Sequence, residues 1–325
     1  MDLKTKARLI SLGRVKLPEV FRPTGPVSTA GPGAGEKNVF FRSGEGRVRL
    51  SVSESSPLKL EELEGNEVAI LENGVEIAQG VLERPLLHCP RQAYITVSER
   101  CIYDCKFCAV PKLSGGVKSL DKVVRMVAEA RDTGELEAIS LTSGVERSPE
   151  KEVARVADIV ESLRRFDVPI GVSVTPALRS SKILKTAGAD EIKYNVECLD
   201  PDLFGKVCPG VSLDKIKMAL KVAVDHFGEN RVFSNVIIGL GESDRALREG
   251  IEELAEIGVL PVLRAVYPHP LRRDDIKMTR PSAERLIDLA RYTRRVVDEH
   301  GLRGDVAETM CYRCTGCDLI PHRDL

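Results

Sequence analysis

Three cysteines, Cys101, Cys105 and Cys108, stand in the stretch ERCIYDCKFCAVPK at the spacing C-x3-C-x2-C. A second set, Cys311, Cys314 and Cys317, stands in ETMCYRCTGCDL at C-x2-C-x2-C. Thiolates crowded in this way are ligands for zinc or for iron–sulfur clusters. Structural zinc takes four ligands in a closed tetrahedron. A cubane cluster held by three thiolates instead keeps one iron free, so the missing fourth ligand can be the purpose of the first motif. The second triad admits two readings. It holds an iron–sulfur cluster with Cys89, Cys208 or a non-cysteine group as fourth ligand, or it holds zinc completed by His322, five residues beyond Cys317. Six of the nine cysteines lie in these two sets, which favours metal binding over scattered core packing.

The elements that must position these thiols follow from the rest of the chain. Its 325 residues suffice for one large barrel with attachments or for two ordinary domains. A composition of 42 % apolar and 30 % charged residues with a net charge of −1 fits a soluble globular protein, and gives no reason to expect a nucleic-acid or membrane partner. No apolar run approaches the roughly 18 residues of a membrane span. The basic start MDLKTKARLISLGRVKLPEV lacks the apolar core and cleavage site of a signal peptide. A cytoplasmic protein with reduced thiols is expected.

Residues 1–90 read as a small β-rich N-terminal domain. A Gly/Pro-rich loop (23–37) precedes short alternating runs, and Asn73–Gly74 between two of them is a hairpin signal. From residue 91 strand-like runs alternate with amphipathic ones. The strands expected are 93–98, 138–143, 170–176, 191–197, 232–240 and 261–268; the runs between and after them carry apolar residues at the helical period. Six β-α units imply a parallel sheet with right-handed crossovers. The fold class expected is α/β, a partial (β/α)6 TIM-type barrel over 91–301, followed by a cysteine-rich tail over 302–325. A doubly wound flat sheet is the alternative. In either, chemistry belongs at the carboxyl ends of the strands, where the first triad falls.

C-x3-C-x2-C with Phe107 before its last cysteine resembles the signature of the radical S-adenosylmethionine superfamily. The resemblance implies a [4Fe–4S] cluster on Cys101, Cys105 and Cys108. S-adenosylmethionine would chelate its open iron and be cleaved by one electron to a 5′-deoxyadenosyl radical. An electron donor such as ferredoxin or flavodoxin goes with that chemistry. ISLTSGVERS (139–148) is similar to the second-strand segment of lipoyl synthases, so Thr142, Ser143 and Gly144 match the place that binds the cofactor's amino group. KYNVECLDPDLFGKVCPG (193–210) resembles a further stretch of those enzymes and, more loosely, of biotin synthase. It assigns Asn195 and Glu197, on one face of a strand, to the cofactor's ribose. Cys208 departs from the pattern by replacing an arginine, and Lys193 or Lys206 is the candidate replacement cation. VIIGLGESD (236–244) resembles the fifth-strand turn, with Gly239 and Gly241 allowing close approach to the cofactor. VYPHPLRRDD (266–275) resembles the last-strand region, where His269, Arg272 and Arg273 are candidates for a carrier protein or a carboxylate, or for a plain basic loop.

A second [4Fe–4S] cluster on Cys311, Cys314 and Cys317 suits a sulfurtransferase that inserts sulfur into unactivated C–H bonds. By resemblance this is lipoyl synthase-like chemistry on an octanoyl chain of a carrier protein, or on a small acyl substrate. The position of the second triad after the barrel resembles the archaeal two-protein lipoyl synthases, which implies a second radical protein as partner. The alternative is another radical enzyme, a methyltransferase or a carbon–carbon bond-forming or peptide-modifying enzyme, with a second cluster that is not consumed. A non-enzymatic metal scaffold is the third. The tail is expected to return along the last helix to the barrel mouth and set the second triad opposite the first.

Overall fold

The computed structural model of the protein describes residues 1–19, 21, 29 and 33–325; most of the Gly/Pro-rich loop lies outside them. The chain opens with helix α1 (Leu3–Leu12), capped by Asp2 and ended by Gly13 in the left-handed conformation. Six strands follow: β1 (Arg14–Val15), β2 (Asn38–Ser43), β3 (Gly46–Val52), β4 (Leu58–Glu62), β5 (Glu67–Glu72) and β6 (Val75–Glu83). They form one sheet in the order β1-β3-β2-β6-β5-β4. A bridge between Lys16 and Lys59 draws its two edges together. The β5–β6 hairpin turns on Asn73 (φ 51°) and Gly74 (φ 85°), both in the left-handed region that such a tight turn requires.

The second sheet holds β7 (Gln92–Thr96), β8 (Ala138–Thr142), β9 (Ile170–Ser173), β10 (Glu191–Lys193), β11 (Val232–Ile238) and β12 (Leu260–Ala265). They lie side by side in chain order, all parallel, and the sheet does not close: β7 and β12 are its edges. Around it pack α2 (Leu120–Asp132), α3 (Pro149–Leu163), α4 (Ser180–Ala187), α5 (Pro201–Val207), α6 (Leu213–Phe227), α7 (Asp244–Glu256) and α8 (Ala283–Glu299). Five of these helices start on a serine, at 119, 148, 212, 243 and 282, whose side chain accepts from an amide of the first turn. Each such cap is worth about 1 kcal/mol. On α3 the buried residues Val153, Val156, Ile159, Val160 and Leu163 recur at three and four, the stripe that seats a helix on a sheet. The architecture is the partial barrel that six β-α units require. Among the described residues no helix is long and apolar enough to cross a membrane.

Three features differ from the sequence expectation. Five of the six strands end two or more residues early, β10 at Lys193 rather than at 197. There the backbone leaves the ladder to shape the loops at the carboxyl ends; Glu197, with φ 59°, keeps only an isolated bridge to Val236. Helices α1 and α5 lie where no helix was expected. The tail, with helix α9 (Met310–Cys314), does not return to the carboxyl ends of the strands. It closes the amino ends. Glu191, the first residue of β10 and fully buried, accepts from the amides of Glu308 and Thr309 (both 2.9 Å) and from Thr309 Oγ1 (2.5 Å). Gln92 donates to Met310 O (3.2 Å), Ser140 accepts from Met310 N (3.0 Å), and Tyr312 donates to Pro261 O (2.9 Å). Helix α8 runs back to the amino side, and these bonds hold the tail there.

The remaining side of the open sheet is covered by the first ninety residues. Helix α1 packs on α8, and Arg280 donates to the carbonyls of Ile10, Ser11 and Val266. Phe40 of β2 packs with Cys89, Tyr94 and Cys314. Arg49 N of β3 donates to Gly316 O (2.6 Å), and Lys6 pairs with Asp324 (2.7 Å).

Gly171 of β9 allows the tail its seat, since a Cβ there would collide with Thr309 Oγ1. Gly171→Ala is expected to cost about 1–3 kcal/mol by overpacking. It is also expected to loosen residues 308–314, seen as faster amide exchange in that segment while α3 and α6 stay protected. Unchanged exchange there would show that the tail is not seated on β9.

Candidate functional site

The first triad sits on the loop after β7, and that loop is fixed from three sides. Gly144 N donates to Ser98 O (2.9 Å), Ile102 N to Val145 O (2.7 Å) and Lys106 N to Val207 O (2.8 Å). Gly144 has no room for a Cβ, which would strike the Arg100 carbonyl. Arg272, wholly buried, donates through Nε to Cys108 O (2.6 Å) and pairs with Asp104 (2.7 Å) and Asp275 (2.6 Å). Arg272 is therefore a clamp on the cysteine loop and is not available to a carrier protein or a carboxylate. His269 is buried as well: its Nδ1 accepts from Leu271 N (3.1 Å) and its Nε2 lies 3.2 Å from Ala34 O. Only Arg273 of that trio is exposed.

Cys101, Cys105 and Cys108 all line one cavity of about 290 Å³ inside the barrel. Burial pushes the Cys108 thiol up to about 12 and raises Cys101 too, so these groups are protonated thiols until a metal displaces the proton. Cys208 hydrogen-bonds Cys105 at the cavity wall. Three soft donors on one wall fit the cysteine ligands of a cubane cluster.

Phe107, Thr142, Ser143, Gly144, Asn195 and Glu197 line the same cavity. The amides of Ser143 and Gly144 are used by the carbonyls of Ser173 and Ser98, so contact to an ammonium falls to carbonyl oxygens. Asn195 and Glu197 share the cavity although the strand ends before them. Asn195 hydrogen-bonds Glu197 and accepts from Asn235 N (3.3 Å). Burial raises the Glu197 carboxyl to about 7, against the pull of Lys193, of the Asn195 hydrogen bond and of Arg264. Gly239 and Gly241 are not among the lining residues. Both have positive φ (109° and 111°), and Gly239 has none of the space a Cβ would need beside Thr279 O. Their turn is held by Glu242, buried, which accepts from the amides of Gly239 (2.8 Å) and Leu240 (2.7 Å). Lys206 is exposed, whereas Lys193 lines the cavity and supplies the cation expected near Glu197.

Cys311, Cys314 and Cys317 line this cavity from its amino side. Lys193 Nζ lies 3.4 Å and Arg264 Nη2 3.1 Å from Cys311 Sγ, and Arg264 also pairs with Asp318 (2.7 Å). Burial works against the charge on Lys193, yet Cys311 and Tyr94 outweigh it and raise the amine. The Cys314 thiol is lowered to about 7 by a hydrogen bond from Cys89 and by the charges of Arg47 and Arg49. His322 is no ligand: Nδ1 accepts from Gly304 N (3.3 Å) and Nε2 pairs with Asp298 (2.7 Å). Cys198 is buried apart, 3.7 Å from Asp200 O. Arg49, Arg264, Tyr94 and Asp318 escaped the sequence reading. Arg264 carried a signal, a charge within an otherwise apolar strand, of the kind that singled out Asn195 and Glu197.

Residues 95–254 match the family model of the Radical SAM superfamily, and the chain belongs to that superfamily through this domain. It is 22 % identical to the lipoyl synthase of Corynebacterium jeikeium over 192 residues, 55 % of this chain and 54 % of that protein. It is 25 % identical to the GTP 3′,8-cyclase of Syntrophomonas wolfei, over 49 % of each chain. The chain spans about half the length of these curated relatives. Among solved structures, methylornithine synthase superposes with a TM-score of 0.54 at 15 % identity, over 65 % of this chain and 63 % of that one, a likeness of fold. Membership of that superfamily implies a [4Fe–4S] cluster and S-adenosylmethionine as the cofactors of this domain.

The raised Glu197 carboxyl has a pH consequence. Its folded value of about 7 lies above the ordinary 4.5, so the stability it contributes is full below about pH 4.5 and is lost as pH rises through about 7. Replacing Glu197 with Gln removes that loss. In the protein free of cluster and cofactor, Tm should fall from about pH 5 to about pH 8 more steeply for the native chain than for Glu197→Gln. Equal slopes in thermal melts would show that Glu197 is not desolvated.

Proposed function

We propose that this radical SAM enzyme inserts sulfur into unactivated C–H bonds of an acyl chain, with an iron–sulfur cluster on Cys311, Cys314 and Cys317 as the sulfur source. The observation that carries the reading is that both cysteine triads line one cavity, from opposite ends of the barrel. A radical generator and a sulfide source on opposite walls meet the two needs of C–H sulfuration. The likeness to lipoyl synthase supports the same reading.

Cys101, Cys105 and Cys108 would hold a [4Fe–4S] cluster, which would supply one-electron reduction of bound S-adenosylmethionine. The chain's own groups prepare the space around that event. Asn195 and Glu197 are assigned to the cofactor's ribose, where a carboxylate accepts from paired hydroxyls. The carbonyl side of Thr142–Gly144 is assigned to its ammonium. Phe107, with Val110, Val174 and Ile237, gives the cavity an apolar lining that keeps water from a reactive carbon centre. Gly33, Arg49 and Ser51 line the cavity from the N-terminal segment. An octanoyl group on a carrier protein or a small acyl compound is the substrate class, a ferredoxin or flavodoxin the electron donor, and a second radical SAM protein the partner that shares the two insertions. A second reading is kept because a cyclase is as similar as lipoyl synthase: the second cluster binds or oxidises substrate and is retained.

Two measurements test this. Changing Cys101, Cys105 and Cys108 to Ala should abolish 5′-deoxyadenosine formation; unchanged formation would remove the first triad from the chemistry. Reconstitution with isotopically labelled sulfide should yield labelled product and about one turnover per chain, with loss of the second cluster. Unlabelled product, or an intact second cluster after many turnovers, would favour the second reading.

A further inference from the structure

We infer that Cys89 is the fourth protein ligand of the second cluster, completing a four-thiolate site with Cys311, Cys314 and Cys317. The inference rests on the reading of that triad as a cluster site and adds a ligand from more than two hundred residues earlier in the chain. Cys89 is fully buried just before β7, where an isolated bridge ties it to Gln92 and its carbonyl accepts from Leu86 N (3.1 Å). Its thiol hydrogen-bonds Cys314 and lies in the electrostatic reach of Cys311 and Cys317, and all four line the amino end of the cavity.

Charge balance points the same way. Lys193, Arg264 and Arg49 bring three positive charges to this end of the cavity, and Asp318 brings one negative charge. Arg49 Nε and Nη2, Arg264 Nε and Asp318 Oδ1 are buried with no hydrogen-bond partner among the described residues. Arg47, the next cation, already pairs with Glu83. With four neutral thiols the site would hold an excess of two positive charges, and several kcal/mol of desolvation per ion would stand against it. Four thiolates on an oxidised [4Fe–4S] core carry a net charge of two negative, which cancels that excess. A single zinc ion on four thiolates has the same charge. The metal content of the reconstituted protein therefore separates the two.

The test uses the full chain with Cys101, Cys105 and Cys108 changed to Ala, so that only the second site binds iron. After anaerobic reconstitution this variant should hold iron and sulfide and give one EPR signal on reduction. Adding Cys89→Ala should lower bound iron several-fold. Adding Cys89→Ser, which preserves shape and offers an oxygen ligand, should retain iron but shift the g-values. Cys198→Ala, a buried thiol elsewhere, should change neither. Full iron and unchanged g-values in both Cys89 variants would overturn Cys89 as a ligand and leave the triad cluster standing. Zinc in place of iron, or iron retained after Cys311, Cys314 and Cys317 are all changed to Ala, would overturn the cluster itself.

Discussion

Because six parallel strands leave β7 and β12 unpaired at the edges, the interior of this barrel is open unless other parts of the chain cover it. That constraint organises the molecule. Eight β-α units would bury the interior with their own side chains. Here the missing wall is supplied by α1, β2 and β3, through Arg280, Phe40 and Arg49, and the floor is supplied by the tail through Glu191. An uncovered interior would fill with water, and every charge in it would be screened. Covered, the same space holds Lys193, Arg264 and Glu197 with little exposure to bulk solvent, where their interactions are strong.

The covering elements also bring chemistry with them. The tail that fills the floor carries three thiols, and the N-terminal sheet that fills the side brings Arg49 and leads directly to Cys89. Closing the fold and building the second site are therefore one event. Buried cations are costly, and Asp318 offsets only part of the charge of Arg49, Arg264 and Lys193, so the three destabilise a molecule whose second site is empty. Metal binding at those thiols would then be coupled to docking of the tail, since ligands from residue 89 and from 311–317 meet only when both ends of the chain are in place.

The architecture was legible because most β-α units repeat the same local signals. An apolar run, a serine cap and a stripe at three and four recur along the barrel, and the tertiary structure agrees with each. The C-x3-C-x2-C motif was legible because its spacing is local and its place after the first strand is fixed by the fold. What failed depended on distance in sequence. The end of β10 was placed late since Tyr194–Glu197 looks like a strand but leaves the ladder, with only Asn195 and Glu197 turned to the cavity. Arg272 read as a surface cation because nothing nearby in sequence reveals Asp104 or the Cys108 carbonyl. The tail was directed to the wrong end because its length permits either; Gly171, Glu191 and Ser140, scattered over three strands, decide the matter.

The two triads enter the cavity from opposite ends, and this bears on any reaction run between them. The first triad lies on loops at the carboxyl ends, clamped by Arg272 and Gly144, and the second lies on a floor held by Thr309 and Met310. Between them stand Tyr94, Thr96, Lys193, Asn195, Glu197 and Asn235, all on strands or directly after them. Strand-borne side chains move less than loops, so the separation of the two sites is set by the sheet and not by a closing lid. On the proposed reading a substrate carbon must reach both walls without leaving the cavity. On that same reading the rigidity of the sheet would favour a fixed order of events, from the first triad at the carboxyl end to the second at the floor.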